Sequence, residues 1–78
     1  MIKQRLAELV AEASDNAVTA QEALDSAVPL SALGLTSIGQ MRLVDAIEAE
    51  FGVEVELTDD GLAMLDDLDR LAAFVAVP

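Results

Sequence analysis

The sequence contains no cysteine and no histidine. Without cysteine, the chain can form no disulfide and supplies no thiolate nucleophile. Without histidine, it lacks the usual general base and the commonest metal ligand of proteins. A Ser-His-Asp triad or a Cys-His pair is therefore excluded, and a stand-alone enzyme is disfavoured because only carboxylates and hydroxyls remain.

Aromatic residues and long apolar runs are also scarce. Phe51 and Phe74 are the only aromatic residues among 78, and β-branched runs are sparse, so packed helices are favoured over a sheet. No apolar run reaches the roughly 18 residues of a membrane span. The start, Met1 to Arg5, is not followed by the apolar core of a signal peptide. We therefore expect one free-standing domain over residues 1–78, acting as a monomer in the cytoplasm and not at a membrane.

The charge balance is strongly acidic. Fifteen acidic and four basic residues give a net charge of −11. Such a chain would be repelled by the phosphates of nucleic acid and by an anionic membrane, so neither is an expected partner. A basic protein surface is the natural complement. The alternative is that the acidity only keeps a small protein soluble.

Hydrophobic periodicity predicts an all-α fold, a small four-helix bundle with a long loop between helices one and two. Helices one, two and four are long, and helix three is short. The expected ranges are 2–14, Ser37 to Phe51, 59–64, and a last helix capped by Asp66 or Asp67. Gly52 suits the left-handed residue that ends helix two. Residues 53–57 alternate like a strand but have no partner segment, so we expect an extended connector.

The connection over residues 15–36 lacks sustained periodicity, and long connections are often functional. Thr19 and Glu22 fit a capping box, which predicts a helical turn over residues 20–26. Pro29 argues against a longer helix there.

Ser37 stands where this connection becomes helix two. Ser37 to Gln40 also matches a capping box, so a purely capping role is one interpretation. Thr36 can cap equally well, which would leave the Ser37 hydroxyl free in the first turn. A helix N-terminus favours a phosphate ester, and Gly34 and Gly39 would let an enzyme approach closely. The second interpretation is that Ser37 carries a covalent group.

The mid-chain motif consists of Leu33, Gly34, Leu35, Thr36, Ser37 and Ile38, continued by Leu43, Ile47, Phe51, Gly52 and Val53. This pattern resembles the carrier-protein family, the acyl carrier proteins and the peptidyl carrier proteins of nonribosomal peptide assembly. The resemblance implies that a phosphopantetheinyl transferase attaches 4′-phosphopantetheine from coenzyme A to Ser37. The arm's thiol would then hold an acyl or aminoacyl group as a thioester, which agrees with a chain that has no cysteine. The protein would be a shuttle between biosynthetic enzymes and not a catalyst.

Four features bear on the two branches of the family. Thr36 stands where many acyl carrier proteins have Asp, and Arg42 stands where they often have an acidic residue. The run from Met41 to Val44 resembles peptidyl carrier domains, whereas the net charge of −11 suits free-standing acyl carriers. Polyketide, fatty-acid-like and nonribosomal peptide pathways all stay open, as does the transferase that loads the chain.

The resemblance also implies a docking surface on helix two and the loop before it. By position, the exposed contact residues would be Leu35, Ile38, Met41, Arg42, Asp45 and Glu48. The implied partners are the transferase, an adenylation or acyl-loading enzyme, a ketosynthase or condensation enzyme, and a thioesterase. The alternative is that Met41 belongs to the core and that Asp45 and Glu48 form a solvated face.

A different class of function is an acidic helical interaction module without a covalent cofactor. Such a module would act through shape and charge alone, and modification of Ser37 distinguishes the two classes. The aspartates at positions 59–60 and 66–69 do not match the spacing of a calcium loop, so no metal site is expected.

Overall fold

The computed structural model describes residues 2–76, so Met1, Val77 and Pro78 lie outside the described part of the chain. These residues form six helices and no strand: α1 (Ile2–Ala13), α2 (Ala20–Asp25), α3 (Leu30–Leu33), α4 (Ser37–Phe51), α5 (Asp59–Leu65) and α6 (Leu68–Ala76). The predicted bundle is confirmed, with α1, α4 and α6 as the long helices and α5 as the short one. Helices α2 and α3 lie within the predicted long connection.

The core forms where α1 packs against α2, α4 and α6. Its buried side chains are aliphatic, as the composition predicted, and none of the described polar or charged residues is buried. Full burial of one such Leu or Ile contributes about 1.5–3 kcal/mol. The largest fully buried side chains are Leu6, Val10, Val18, Leu30, Leu43, Ile47, Leu65 and Leu71. Within residues 2–76, no helix combines the length and the hydropathy needed to cross a bilayer.

Helix α1 ends one residue before its predicted boundary because the backbone turns left-handed. Asp15 and Asn16 have φ angles of 54° and 65°, and Asp and Asn are the residues other than Gly that tolerate this conformation best. The Asn16 N–H then donates to the carbonyl oxygen of Ala11 at 2.8 Å, which satisfies a carbonyl in the last turn.

Side-chain caps start α2, α5 and α6. The Thr19 hydroxyl accepts the Glu22 N–H at 3.1 Å, and Glu22 Oε1 accepts the Thr19 N–H at 3.0 Å, which completes the capping box of α2. Thr58 caps α5, and Asp67 caps α6. Gly52 ends α4 with a φ of 67°.

Helix α3 was not predicted. Pro29 occupies its N-cap position, and the helix has only four residues. Helix α2 ends at Asp25, in agreement with the expectation that Pro29 prevents a longer helix there. The stretch from Val53 to Leu57 forms neither helix nor strand, so the prediction of a connector in place of a strand is confirmed. Its middle residue, Val55, is buried in the core.

Candidate functional site

Ser37 is the first residue of α4, and its side chain is exposed. Thr36 is the N-cap, since its Oγ1 accepts the Gly39 N–H at 3.1 Å and its carbonyl oxygen accepts the Gln40 N–H at 2.8 Å. The interpretation that Ser37 caps the helix is therefore wrong. The described residues form no hydrogen bond with the Ser37 hydroxyl, which leaves this hydroxyl available to a reagent from solution.

The two glycines near Ser37 serve the fold. A Cβ on Gly39 would lie 2.9 Å from Leu35 Cδ1 and 3.5 Å from the carbonyl oxygen of Ala13, so the glycine lets the start of α4 pack closely on its neighbours. Gly34 has a φ of 123° and ends α3, a conformation that other residues rarely adopt. Gly39 is buried and Gly34 is exposed, so the expectation that these glycines give an enzyme room to approach stays a prediction.

Leu35 does not belong to the exposed surface predicted for docking. It is 3% exposed, because its side chain packs against Gly39 and its N–H donates to the carbonyl oxygen of Leu30 at 3.2 Å. The prediction of an exposed contact at Leu35 is corrected: this residue anchors the segment that leads into α4.

The exposed side of α4 nearest Ser37 is apolar in its first turns. Ile38 is 68% exposed and Met41 is 41% exposed, so the alternative that Met41 belongs to the core is wrong. Arg42 and Asp45 are exposed as well. These four residues follow the spacing i, i+3, i+4 and i+7, which places them on one side of a helix. We name them the α4 face.

Glu48 is not a free charge at the rim of this face. Its side chain is half-buried, and Oε2 accepts the N–H of Val55 at 2.9 Å. The prediction of an exposed contact at Glu48 is corrected in part, because this carboxylate ties the extended connector to α4.

The sequence on either side of Ser37 is uncharged, although the chain as a whole is acidic. Residues 26–41 contain no Asp, Glu, Lys or Arg, and the first charge after them is Arg42. Among the described residues Lys3 and Arg5 form ion pairs, whereas Arg42 forms none. This uncharged stretch around Ser37 is a signal in the sequence that helical periodicity alone does not show.

Helix α3 contacts the segment before Ser37, where the Leu35 N–H donates to the carbonyl oxygen of Leu30. No pattern in the sequence indicated this helix. Its residue Ser31 is hydrogen-bonded to Asp66, which lies 35 residues further along the chain. Partners so far apart leave no local periodicity or cap motif that sequence reasoning can detect.

Ser37 does not line the open groove between the α2–α3 connection and α6. Residues 2–76 contain no group of three or more carboxylates that could hold a metal ion. An open groove of about 550 Å³ lies between the α2–α3 connection and the start of α6, and no residue of α4 lines it. The start of α4 presents the Ser37 hydroxyl, and the chain contains no histidine or cysteine that could act as its base.

The described residues form a small helical bundle, and the Ser37 hydroxyl is exposed at the start of α4. The family model described as the phosphopantetheine attachment site matches residues 4–75. The chain therefore belongs to the phosphopantetheine-binding carrier family, whose domain is the site of covalently attached 4′-phosphopantetheine. Its general function is that of a carrier protein. Comparisons with curated proteins and with solved structures found no match.

Proposed function

We propose that Ser37 is the attachment residue for 4′-phosphopantetheine. The observation that carries this proposal is the division of roles at the start of α4. Thr36 makes the capping hydrogen bond, which leaves the exposed hydroxyl of Ser37 free. Both residues lie within the stretch that matches the family model.

The chemistry of attachment requires little of this chain. The Ser37 oxygen bonds to the phosphorus next to the pantetheine half of coenzyme A, and the nucleotide half leaves. The proton of the hydroxyl passes to a base on the transferase, because this chain has no histidine or cysteine to accept it. When bound, the arm supplies a terminal thiol, which holds an acyl or aminoacyl group as a thioester.

The electrostatics at Ser37 suit a phosphodiester. The first N–H groups of a helix have no acceptor within the helix and carry the positive end of its dipole. Thr36 satisfies the N–H of Gly39, and the N–H groups ahead of it favour an anion held at the helix start. No carboxylate occurs in residues 26–41 to repel that anion.

We further propose that the loaded protein passes acyl or aminoacyl intermediates between biosynthetic enzymes in the cytoplasm. The expected partners are a loading or adenylation enzyme, a ketosynthase or condensation enzyme, and a thioesterase. Family membership supports interaction with a phosphopantetheinyl transferase and biosynthetic enzymes in general terms. The acyl and aminoacyl versions both stay open. Arg42 favours a peptidyl carrier, whereas the net charge of −11 favours a free-standing acyl carrier.

The α4 face is the proposed docking surface for these enzymes. It combines the apolar side chains Ile38 and Met41 with Arg42 and Asp45, and all four are exposed. An apolar centre with a charged rim is typical of transient interfaces. We expect Ile38 to contribute most of the contact because it is the more exposed of the two apolar side chains.

Incubation with coenzyme A and several phosphopantetheinyl transferases, followed by intact-mass spectrometry, tests the attachment. The wild type should gain one phosphopantetheinyl group, and Ser37→Ala should gain none. Ser26→Ala is the matched control, since Ser26 lies in the same connection, and it should be loaded normally. A wild type that stays unmodified with every transferase would contradict the proposal and favour the acidic interaction module.

Loading rates test the docking surface. Ile38→Asp should lower kcat/KM for loading about tenfold, the effect of losing one apolar anchor. Val28→Asp is the matched control because Val28 is also exposed, at 51%, but lies outside α4. Equal rates for the two variants would show that the α4 face is not the docking surface.

A further inference from the structure

Asp66 connects two parts of the molecule that are distant in sequence. It is the C-cap of α5 and lies at the corner between α5 and α6. Its Oδ1 accepts the Ser31 N–H at 3.1 Å, and its Oδ2 accepts the Ser31 hydroxyl at 2.7 Å. Its carbonyl oxygen accepts the Leu30 N–H at 3.0 Å. One residue therefore makes three hydrogen bonds to the first turn of α3.

These bonds replace a cap that α3 cannot make for itself. Its N-cap is Pro29, which makes no side-chain capping hydrogen bond, and the first N–H groups of any helix need acceptors from outside it. Asp66 supplies the acceptors for Leu30 and Ser31. A helix of four residues has no stability of its own in water, so α3 depends on this remote cap and on the burial of Leu30.

The ordering of α3 extends to Ser37 through short contacts. The carbonyl oxygen of Leu30 accepts the Leu35 N–H at 3.2 Å, and Leu35 is buried against Gly39. Thr36, the residue between Leu35 and Ser37, makes the cap that starts α4. Ser37 is thus two residues from a side chain whose position depends on α3.

We propose that Asp66 is a positioning residue for the loading of Ser37, an inference that rests on the proposed function. By capping α3 from across the molecule, Asp66 holds the segment from Leu35 to Ser37 in the orientation that a transferase recognises. Loss of the cap lets α3 fray, so that only a fraction of molecules presents Ser37 correctly. An enzyme that binds only that fraction sees its apparent affinity reduced in proportion.

Steady-state kinetics of loading, with the carrier as the varied substrate, test this proposal. Asp66→Ala should raise KM about tenfold with kcat little changed, because a pair of charge-assisted hydrogen bonds is lost. The KM of Asp66→Asn should lie between those of the wild type and Asp66→Ala, since its amide oxygen can still accept the Ser31 N–H. Ser31→Ala should also fall in between, because it loses only the hydroxyl bond.

Asp67→Ala is the matched control. Asp67 is the neighbouring carboxylate and also caps a helix, but its Oδ1 accepts the N–H groups of Asp69 and Arg70 at the start of α6 and does not reach α3. Both variants lose a cap, so a purely structural effect would change both equally. The same KM for Asp66→Ala and Asp67→Ala would overturn the proposal. If Asp66→Ala does not fold, the same comparison is made with Asp66→Asn and Ser31→Ala.

Amide hydrogen exchange separates this proposal from the proposed function. In Asp66→Asn, the Leu35 N–H should exchange about tenfold faster than in the wild type. The Leu71 N–H, which donates to the carbonyl oxygen of Asp67 at 3.0 Å, should be unchanged. If no transferase loads the wild type, the proposed function fails, and the exchange rates alone decide whether Asp66 orders the segment. Equal exchange at Leu35 in both proteins would overturn the positioning role.

Discussion

Thr36 and Ser37 are adjacent hydroxyl residues with different tasks. Thr36 adopts an extended backbone conformation with ψ near 172° and turns its hydroxyl to the Gly39 N–H, whereas Ser37 already belongs to the helix and faces solvent. The sequence showed that either residue could cap α4. The structure assigns the cap to Thr36, so the start of α4 does not depend on the Ser37 hydroxyl.

Substitution at these two positions should separate capping from attachment. Thr36→Val keeps the shape of the side chain but removes the acceptor, so the free energy of unfolding should fall by about 1 kcal/mol. Ser37→Ala removes an exposed hydroxyl and should change it by less than about 0.5 kcal/mol. Urea denaturation of the unloaded proteins measures both values. A loss at Ser37→Ala as large as that at Thr36→Val would mean that Ser37 contributes to the cap.

Helices with regular spacing and explicit caps could be predicted from the sequence, and irregular segments could not. Helix α4 was predicted to the residue because apolar periodicity defines its body and Gly52 defines its end. Helix α3 has one turn, and its cap comes from Asp66, so neither signal is local. The burial of Leu35 was missed for a related reason: it depends on the left-handed turn at Gly34 and on the space beside Gly39.

Arg5 links α1 to the end of α4. Its Nε and one terminal nitrogen donate to the two carboxylate oxygens of Glu50 at 2.6 and 2.7 Å, and Glu8 accepts a third bond at 3.2 Å. The hydrogen bonds from Arg5 hold the pKa of Glu50 below its ordinary value, against the smaller opposing effect of desolvation. A paired geometry of this kind gives an ion pair more weight than an isolated surface contact has.

The lowered pKa of Glu50 predicts a pH dependence of stability. A carboxylate whose pKa is depressed by folding stabilises the protein above its unfolded-state pKa and loses that contribution as pH falls through the folded-state pKa. Glu50→Gln should therefore have a lower urea midpoint than the wild type at pH 7, and the difference should shrink below about pH 4. Glu54→Gln, at an exposed residue of the connector, is the control and should match the wild type at both pH values. A difference that persists unchanged in acid would exclude the ion pair as its cause.

The acidic residues are distributed unevenly along the chain. Residues 26–41 are uncharged and lead to the α4 face, while the 15 acidic residues all lie outside them. The sequence predicted the acidity and its consequence for partners, and the fold adds that the Asp66 carboxylate binds Ser31 within the uncharged stretch. Surface charge of one sign attracts a partner of the opposite charge and directs encounters with it.

Self-repulsion among these carboxylates should limit thermal stability. Added NaCl should raise the melting temperature, because the screening length falls to about 10 Å at 0.1 M salt, and MgCl2 should do the same. Salt also weakens the few ion pairs, but acidic residues outnumber basic ones by 15 to 4, so the relief of repulsion prevails. Differential scanning fluorimetry over a salt series measures the effect. A melting temperature that stays constant or falls would show that repulsion does not limit stability.

The exposed side chains of Ile38 and Met41 have a consequence for the protein in its free state. Apolar groups left uncovered at a surface tend to draw identical molecules together. Two copies of a chain with a net charge of −11 repel each other before their α4 faces can meet. The net negative charge therefore opposes self-association through Ile38 and Met41, which stay exposed near Ser37.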